Sequence, residues 1–250
     1  MNKRPLKKIL KAFFNKPFYI ALINIFKYFY HPTDVLRRYV FGQGDYPKKL
    51  TVKTPLGKQE VWLYSFHDMI TMVECYGKLD YPAEKEISCV VDFGSNIGIS
   101  AGYFLTRNKN IKIYLFEPLP ENINRLKTNL QGFENRYELH EVAVGLENGH
   151  ADFGFEATGR YGRLESNLSK TIQVQVRKVE EIISSILEKV GHIDILKIDV
   201  EGLETAILKS ISPKNLKNIN NIYAETIYSE CLPGFDKEQY GEVVRFRKKS

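Results

Sequence analysis

From Ile87 onward the chain alternates between short continuous apolar runs and longer segments in which apolar residues recur every three or four positions. The runs "ISCVVDFG", "IKIYLFEP", "YELHEVAVG", "IDILKIDVEG" and "NINNIYAETIYS" carry apolar residues on both faces, as fully buried strands do. Between them, "NIGISAGYFLTRN", "PENINRLKTNLQG", "VEEIISSILEKVG" and "LETAILKS" have helical spacing, with Pro120 in a first turn and Gly132 as a stop. "GHADFGFEATGRYGRL" and "TIQVQVRKV" read as a hairpin around a glycine-punctuated loop. Strands separated by helices of this length predict an α/β domain over residues 87–250, a mostly parallel sheet with helices on both faces.

Upstream the pattern changes. In residues 41–86, "LTVKT" and "QEVWLYS" alternate as the arms of a hairpin, with turn signals at Tyr46-Pro47 and Leu56-Gly57. "HDMITMVECYGKLDYP" follows as a short amphipathic helix stopped by Pro82. Residues 1–40 form an aromatic, basic helical arm. Its longest clean apolar run, Phe18 to Ile23, is far shorter than the roughly 20 residues needed to cross a bilayer. Two readings stay open for residues 1–33: a helix lying in a membrane interface, or an extension packed on the domain or on a second subunit. At the other end, residues 230–250 leave room for one helix and no closing hairpin, an apparently shortened C-terminus whose last sheet edge would be bare.

Charge sharpens this division. The 250 residues carry a net charge of +6, yet seven basic residues and no acid precede Asp34, and the remainder holds 29 basic against 30 acidic residues. A nearly neutral body argues against a nucleic-acid groove across it, so no nucleic-acid partner is expected. With 43% hydrophobic and 26% charged residues, the composition is that of a globular protein. The three cysteines, Cys75, Cys89 and Cys231, show no metal-ligand spacing and suit a reducing cytoplasm.

Candidate chemistry gathers at strand ends. "DFGSNIG", "FEP", "VAVG" and "KIDVEG" all fall at carboxyl ends, where open α/β sheets bind ligands. The turn Gly94-Ser95-Asn96-Ile97-Gly98 has an asparagine where a dinucleotide site wants its second glycine, and no Gly-Lys-Ser/Thr follows. A ligand without phosphates fits better. Asp92 at the strand end can take an ammonium group, and the Glu117 carboxylate can accept a vicinal diol. An amino acid joined to a nucleoside is S-adenosylmethionine.

With "VVDFGSNIGISAGYF", "IYLFEPLPENINRLKTN", "EVAVG" and "ILKIDVEGLE" in this order, the chain resembles the FkbM-type methyltransferases, a branch of the class I S-adenosylmethionine-dependent methyltransferases. The resemblance covers about residues 45 to 230, and "HDMITMVECYGKLDYP" also looks like the segment preceding the domain. It implies a Rossmann-like methyltransferase sheet, S-adenosyl-L-methionine as cofactor, and a small-molecule or glycan acceptor. By the same resemblance Asp92 orients the methionine ammonium, Gly94, Ser95, Asn96 and Gly98 shape the loop under methionine and ribose, Glu117 binds the ribose diol, and Val142 and Ala143 flank adenine.

For the transfer itself, Asp199 ends the fourth strand and Glu201 lies two residues on, sharing its face if the chain is still extended; Lys197 would share it too. Asp199 or Glu201 would orient or deprotonate an acceptor hydroxyl, unless Glu201 serves only to cap the next helix. His67 is the best placed of five histidines to act as a base near neutral pH. Two carboxylates do not define a metal site, and no metal is expected. Residues 157–167, "ATGRYGRLESN", either cover the acceptor or are a plain loop. The leading expectation is O-methylation of a sugar, glycolipid, polysaccharide or natural product, in the cytoplasm and, if the arm meets lipid, at the inner membrane face. A methyltransferase-fold binding subunit without activity is the alternative that a short C-terminus would favour. A methyltransferase acting on RNA or protein is disfavoured by the neutral body and the lack of an N/D-P-P-Y/F motif.

Overall fold

The computed structural model describes residues 16–155, 162–164 and 170–249. Two helices lead, α1 (Lys16–Tyr28) and α2 (Pro32–Phe41), followed by the hairpin β1 (Lys48–Thr54) and β2 (Gly57–Leu63) and by α3 (Phe66–Val73). α3 starts on a capping box, with the Ser65 side chain accepting from Asp68 N–H and the Asp68 carboxylate accepting from Ser65 N–H. It runs into a π-helical turn, Glu74–Lys78, and stops at Leu79, whose φ is +59°, three residues before Pro82.

The body then alternates: β3 (Cys89–Phe93), α4 (Ile99–Leu105), β4 (Lys112–Phe116), α5 (Pro120–Asn129), β5 (Tyr137–His140), β6 (Ala143–Gly145), β7 (Gly149–Phe155), β8 (Gly162–Leu164), β9 (Lys170–Lys178), α6 (Val179–Val190), β10 (Ile193–Ile198), α7 (Glu204–Ser210), α8 (Pro213–Leu216), β11 (Ile219–Ala224), β12 (Phe235–Tyr240) and β13 (Val243–Lys248). The main sheet has the order β12-β13-β11-β10-β3-β4-β5. Its five strands from β11 to β5 are parallel, and β13 is antiparallel to β11. This is the α/β architecture expected from the hydrophobic pattern. The chain leaves β3 toward β4 and β5 on one side and returns to β10 and β11 on the other, so the order reverses between β3 and β10.

Side chains alternate across each strand and divide the core in two. Val90, Ile113, Leu115, Ile195 and Tyr223 face a layer built from α1–α5 and the β1–β2 hairpin. Val91, Phe93, Phe116, Leu196, Ile198 and Ile222 face the layer of α6, α7 and α8. The N-terminal segment therefore shares one continuous core with the body.

Two expectations are corrected. The run "YELHEVAVG" is two strands: β5 stays in the main sheet, and β6 joins a separate four-stranded sheet of order β6-β9-β7-β8. The closing antiparallel hairpin expected to be missing is present, in residues 235–248. Its charged outer strand, "FDKEQY", hides the alternation, since an edge strand carries charge to discourage further pairing. The two-residue turn Gly241-Glu242, with Gly241 at φ +63°, was the available signal. The inner strand is core: Val244 and Phe246 are fully buried. Residues 157–167 lie outside the described residues except for 162–164.

Phe246→Ala should lower stability by about 3–5 kcal/mol through the cavity it leaves, read as a shift in the urea unfolding midpoint.

Candidate active site

The main sheet's interior holds a lysine. Lys197 on β10 pairs in register with Asp92 on β3, and both are shut off from solvent. Its Nζ lies 2.9 Å from Asp92 Oδ1 and 3.1 Å from Asp199 Oδ2, and donates to the Gly94 carbonyl at 3.2 Å. The Ser100 hydroxyl donates to the other Asp92 oxygen at 2.6 Å. The Tyr81 ring covers the ammonium, 5.5 Å away. Burial alone would discharge Lys197, but Asp199 and Asp92 outweigh it and hold its pKa above the ordinary value. Burial raises the Asp92 pKa, with Lys197 and Ser100 working against the rise. Asp92 is thus already paired at both oxygens, and any hold it has on a ligand ammonium passes through this network.

The glycine turn is welded to its neighbours. Gly94 and Ser95 N–H both donate to the Phe116 carbonyl at the end of β4, at 3.1 and 3.0 Å. The Ser95 hydroxyl donates to the Asp92 carbonyl and accepts from Phe116 N–H, which turns it inward rather than toward a ligand. Gly94 has φ +77°, and a Cβ there would sit 1.7 Å from the Asp199 carbonyl oxygen. Close approach of the loops after β3 and β10, joined by Asp199 N–H donating to Phe93 O at 3.1 Å, therefore demands glycine. Gly98, at φ +83°, precedes α4, and a Cβ there would crowd Leu126 and Leu130 at 3.1 and 3.3 Å.

Glu117 follows β4 and is built into this turn. Its Oε2 accepts from Asn96 N–H at 3.0 Å, and its Oε1 accepts from Leu119 N–H at 3.0 Å and Asn122 Nδ2 at 3.2 Å. Asn96 reaches it from the left-handed region, φ +47°. Burial pushes the Glu117 pKa up to about 7, against the three N–H donors. A carboxylate offers about four lone-pair positions. Three are taken, so one on Oε2 is open to a hydroxyl, and a second hydroxyl needs the Asn122 amide to swing aside. Val142 and Ala143 lie buried just beyond β5, Val142 with Phe93 and Phe116 and Ala143 with Leu119.

Beyond the ends of β10 and β11 opens a cleft of about 320 Å³ lined by Asp199, Glu201, Gly202, Glu204, Glu225, Thr226, Ile227 and Glu242. The strand stops at Ile198, so Glu201 does not continue its alternation. It stands in a turn at φ +54° and still lines the same cleft as Asp199. Just ahead of α7, the Glu204 carboxylate accepts from Gly202 N–H at 3.0 Å.

Glu225, after β11, was missed by the sequence reading although it obeys the same strand-end rule. Its N–H donates to Ile198 O, and its carboxyl is hydrogen-bonded to that of Asp199. The Asp199 charge, burial and that bond raise its pKa well above the carboxylate range. The proton that this raised pKa favours sits on Glu225, beside the carboxylate that Lys197 pairs with at 3.1 Å. His67 does not line this cleft; it sits in the first turn of α3 with its ring edge-on to Phe66 at 5.5 Å. Among the described residues no three His, Cys, Asp or Glu side chains are grouped to hold a metal ion.

A parallel sheet closed by an antiparallel hairpin, with a glycine turn and a carboxylate at the ends of its first two strands, defines a class I methyltransferase fold. The methyltransferase FkbM domain profile matches residues 92–248, and the chain belongs to that family. It is 23% identical over 193 residues to Methyltransferase 1 of Beauveria bassiana, covering 68% of this chain and 75% of that protein. It is 27% identical over 169 residues to the 2-O-methyltransferase NoeI of Sinorhizobium fredii, covering 60% and 68%. The crystal structure of a methyltransferase FkbM from Methylobacillus flagellatus aligns with a TM-score of 0.40 at 14% identity, over 66% of this chain and 44% of that one.

Lys197→Met would leave two carboxylates facing each other without their cation. Such a loss costs about 3–5 kcal/mol, and chemical denaturation at neutral pH should show it. Lys197→Arg should not restore the wild-type value, because a forked guanidinium does not fit a site shaped for a point charge.

Proposed function

We propose that this protein transfers a methyl group from S-adenosyl-L-methionine to a hydroxyl oxygen, on a sugar, a glycolipid or polysaccharide, or a natural product, in the cytoplasm or at the inner membrane face. The observation that carries the reading is Glu117. A buried carboxylate is held by the glycine turn's own backbone, keeps a lone pair for a hydroxyl, and stands at the carboxyl end of β4, beside the strand at which the sheet order reverses. Family membership supports the methyl transfer, and the name of the relative NoeI, a 2-O-methyltransferase, supports an oxygen acceptor.

In this reading the 94–98 turn, Glu117, Val142 and Ala143 hold the cofactor, which supplies an electrophilic methyl on a sulfonium. The chain's own part is positioning and proton handling. Asp199, paired with Lys197, accepts the acceptor's hydroxyl proton, and Glu225, whose raised pKa favours its protonated form, orients the acceptor from the same cleft. Glu201 and Thr226 line the path by which the acceptor enters. The argument for an inactive binding subunit rested on a missing hairpin, and β12–β13 removes it.

Calorimetric titration with S-adenosylmethionine is the test. Glu117→Ala should abolish binding, and Asp199→Asn should keep it while removing turnover; binding that survives Glu117→Ala would overturn the assignment. A pH series adds a sign. Glu117 has a pKa raised to about 7, so the empty fold is favoured with the carboxyl protonated and loses that contribution as pH rises from the ordinary carboxylate value toward 7. A diol needs the ionised form as acceptor. Affinity should therefore tighten about tenfold from about pH 6 to about pH 8, with proton release on binding, and Glu117→Gln should flatten the profile.

A further inference from the structure

The sequence left the N-terminal helix with two readings, and the structure shows that it has two faces. Ala21, Ile25 and Phe29 are buried against the core, and the Asn24 amide donates to Gly77 O at 2.8 Å, so one face is permanently seated. The other carries Tyr19, Ile23, Phe26 and Tyr30, spaced four, three and four apart, with 49, 66, 57 and 46% of their surfaces in solvent. The stripe does not end with the helix. Phe29 bridges to Val52 on β1, and Lys53 and Lys58 hold their ammonium groups 5.5 and 5.9 Å from the Tyr30 ring. Those lysines flank the β1–β2 turn, whose tip presents Leu56.

We propose that the outer face of α1 and the tip of the β1–β2 hairpin form one docking surface for a bilayer with anionic headgroups. The proposal stands apart from the methyl-transfer reading, since it concerns the opposite end of the chain from the Asp199 cleft and reads out without cofactor.

Large apolar side chains in a contiguous exposed row, flanked by lysines and tyrosines, match the layering of a membrane interface. Apolar rings enter the acyl boundary while amines stay with phosphate. Charge complementarity selects the occupant. Lys27, Lys53 and Lys58 rim the patch, with Lys58 shared with Glu60 at 3.0 Å, and the sequence before Asp34 has seven basic residues and no acid. Each such cation near an anionic leaflet adds attraction. A second copy is the weaker fit, because a two-fold contact through this face brings Lys27, Lys53 and Lys58 against the same lysines of the other copy. No described helix is long and apolar enough to cross a membrane, so attachment would be in the plane of the interface.

The test is flotation of the full 250-residue chain with phosphatidylglycerol-containing vesicles and with pure phosphatidylcholine vesicles. The expected result is association with the anionic vesicles alone, weakened by salt, and reduced at least tenfold by Ile23→Glu with Phe26→Glu while the melting temperature and S-adenosylmethionine binding stay unchanged. Lys53→Gln with Lys58→Gln should weaken it less. If the double glutamate variant does not fold, Phe26→Trp serves instead: its emission should shift to the blue and be quenched by brominated lipid on anionic vesicles. Wild type that stays free of anionic vesicles, a tryptophan that does not respond, or a dimer in solution that Ile23→Glu dissociates would each overturn the proposal.

Discussion

The structure turns on an ammonium group inside a β-sheet. A lysine removed from water is costly unless carboxylates repay the lost hydration, and Lys197 is met by two of them. Much of the site follows from that need. Asp92 has to sit opposite it in register, and Asp199 has to end the strand on the same face. The Gly94 carbonyl takes a further donor bond, which brings the two strand-end loops so close that no side chain fits between them. Tyr81, from the segment before the body, closes the remaining side. The glycine turn and the acidic cleft are therefore two ends of one electrostatic unit: what happens to the charge on Asp199 is felt at Asp92, beneath the turn.

That coupling gives a physical role to residues that touch no ligand. Ser100 balances the second Asp92 oxygen, and without it the lysine would be shared less evenly. Asp199 in turn raises the pKa of its neighbour Glu225, so one cleft sets a carboxyl that favours its proton beside a carboxylate paired with a lysine. Sites that separate two carboxyls in this way do so through their surroundings, and here the surroundings are the lysine on one side and the partly buried end of β11 on the other.

The parallel body was legible because buried strands read as unbroken apolar runs, and the strand-end rule located Asp92, Glu117 and Asp199. What escaped did so for definite reasons. The closing hairpin looked polar because an edge strand wears its charges outward. Strands β5 and β6 read as one because the step between sheets at Glu141–Val142 leaves no glycine or proline to mark it. The sequence offers Gly94 as part of a ligand loop but gives no sign of its second constraint, the close approach of the Asp199 backbone, a contact between residues about a hundred positions apart that no local pattern carries. Glu225 was passed over because "YAETIYS" lacks a glycine, though its position at a strand end was the same as that of the residues chosen.

The hairpin that closes the sheet, with its neighbour β11, also holds down the chain's early residues. Arg245 donates to the carbonyls of Leu79 and Asp80, Tyr240 donates to that of Lys78, and Tyr223 to that of Pro82. These are the bonds that fasten the strip bearing Tyr81 over the buried lysine. During synthesis the chain emerges from its N-terminus, so this strip has to wait, unfastened, for nearly everything downstream of it. Of the four bonds, the one from Tyr223 is available first, and the three from Tyr240 and Arg245 come only with the end of the chain. Completion of the site is thereby tied to completion of the sheet, and a nascent fragment ending before that hairpin would carry the glycine turn and both aspartates without three of the bonds that fasten the strip above them.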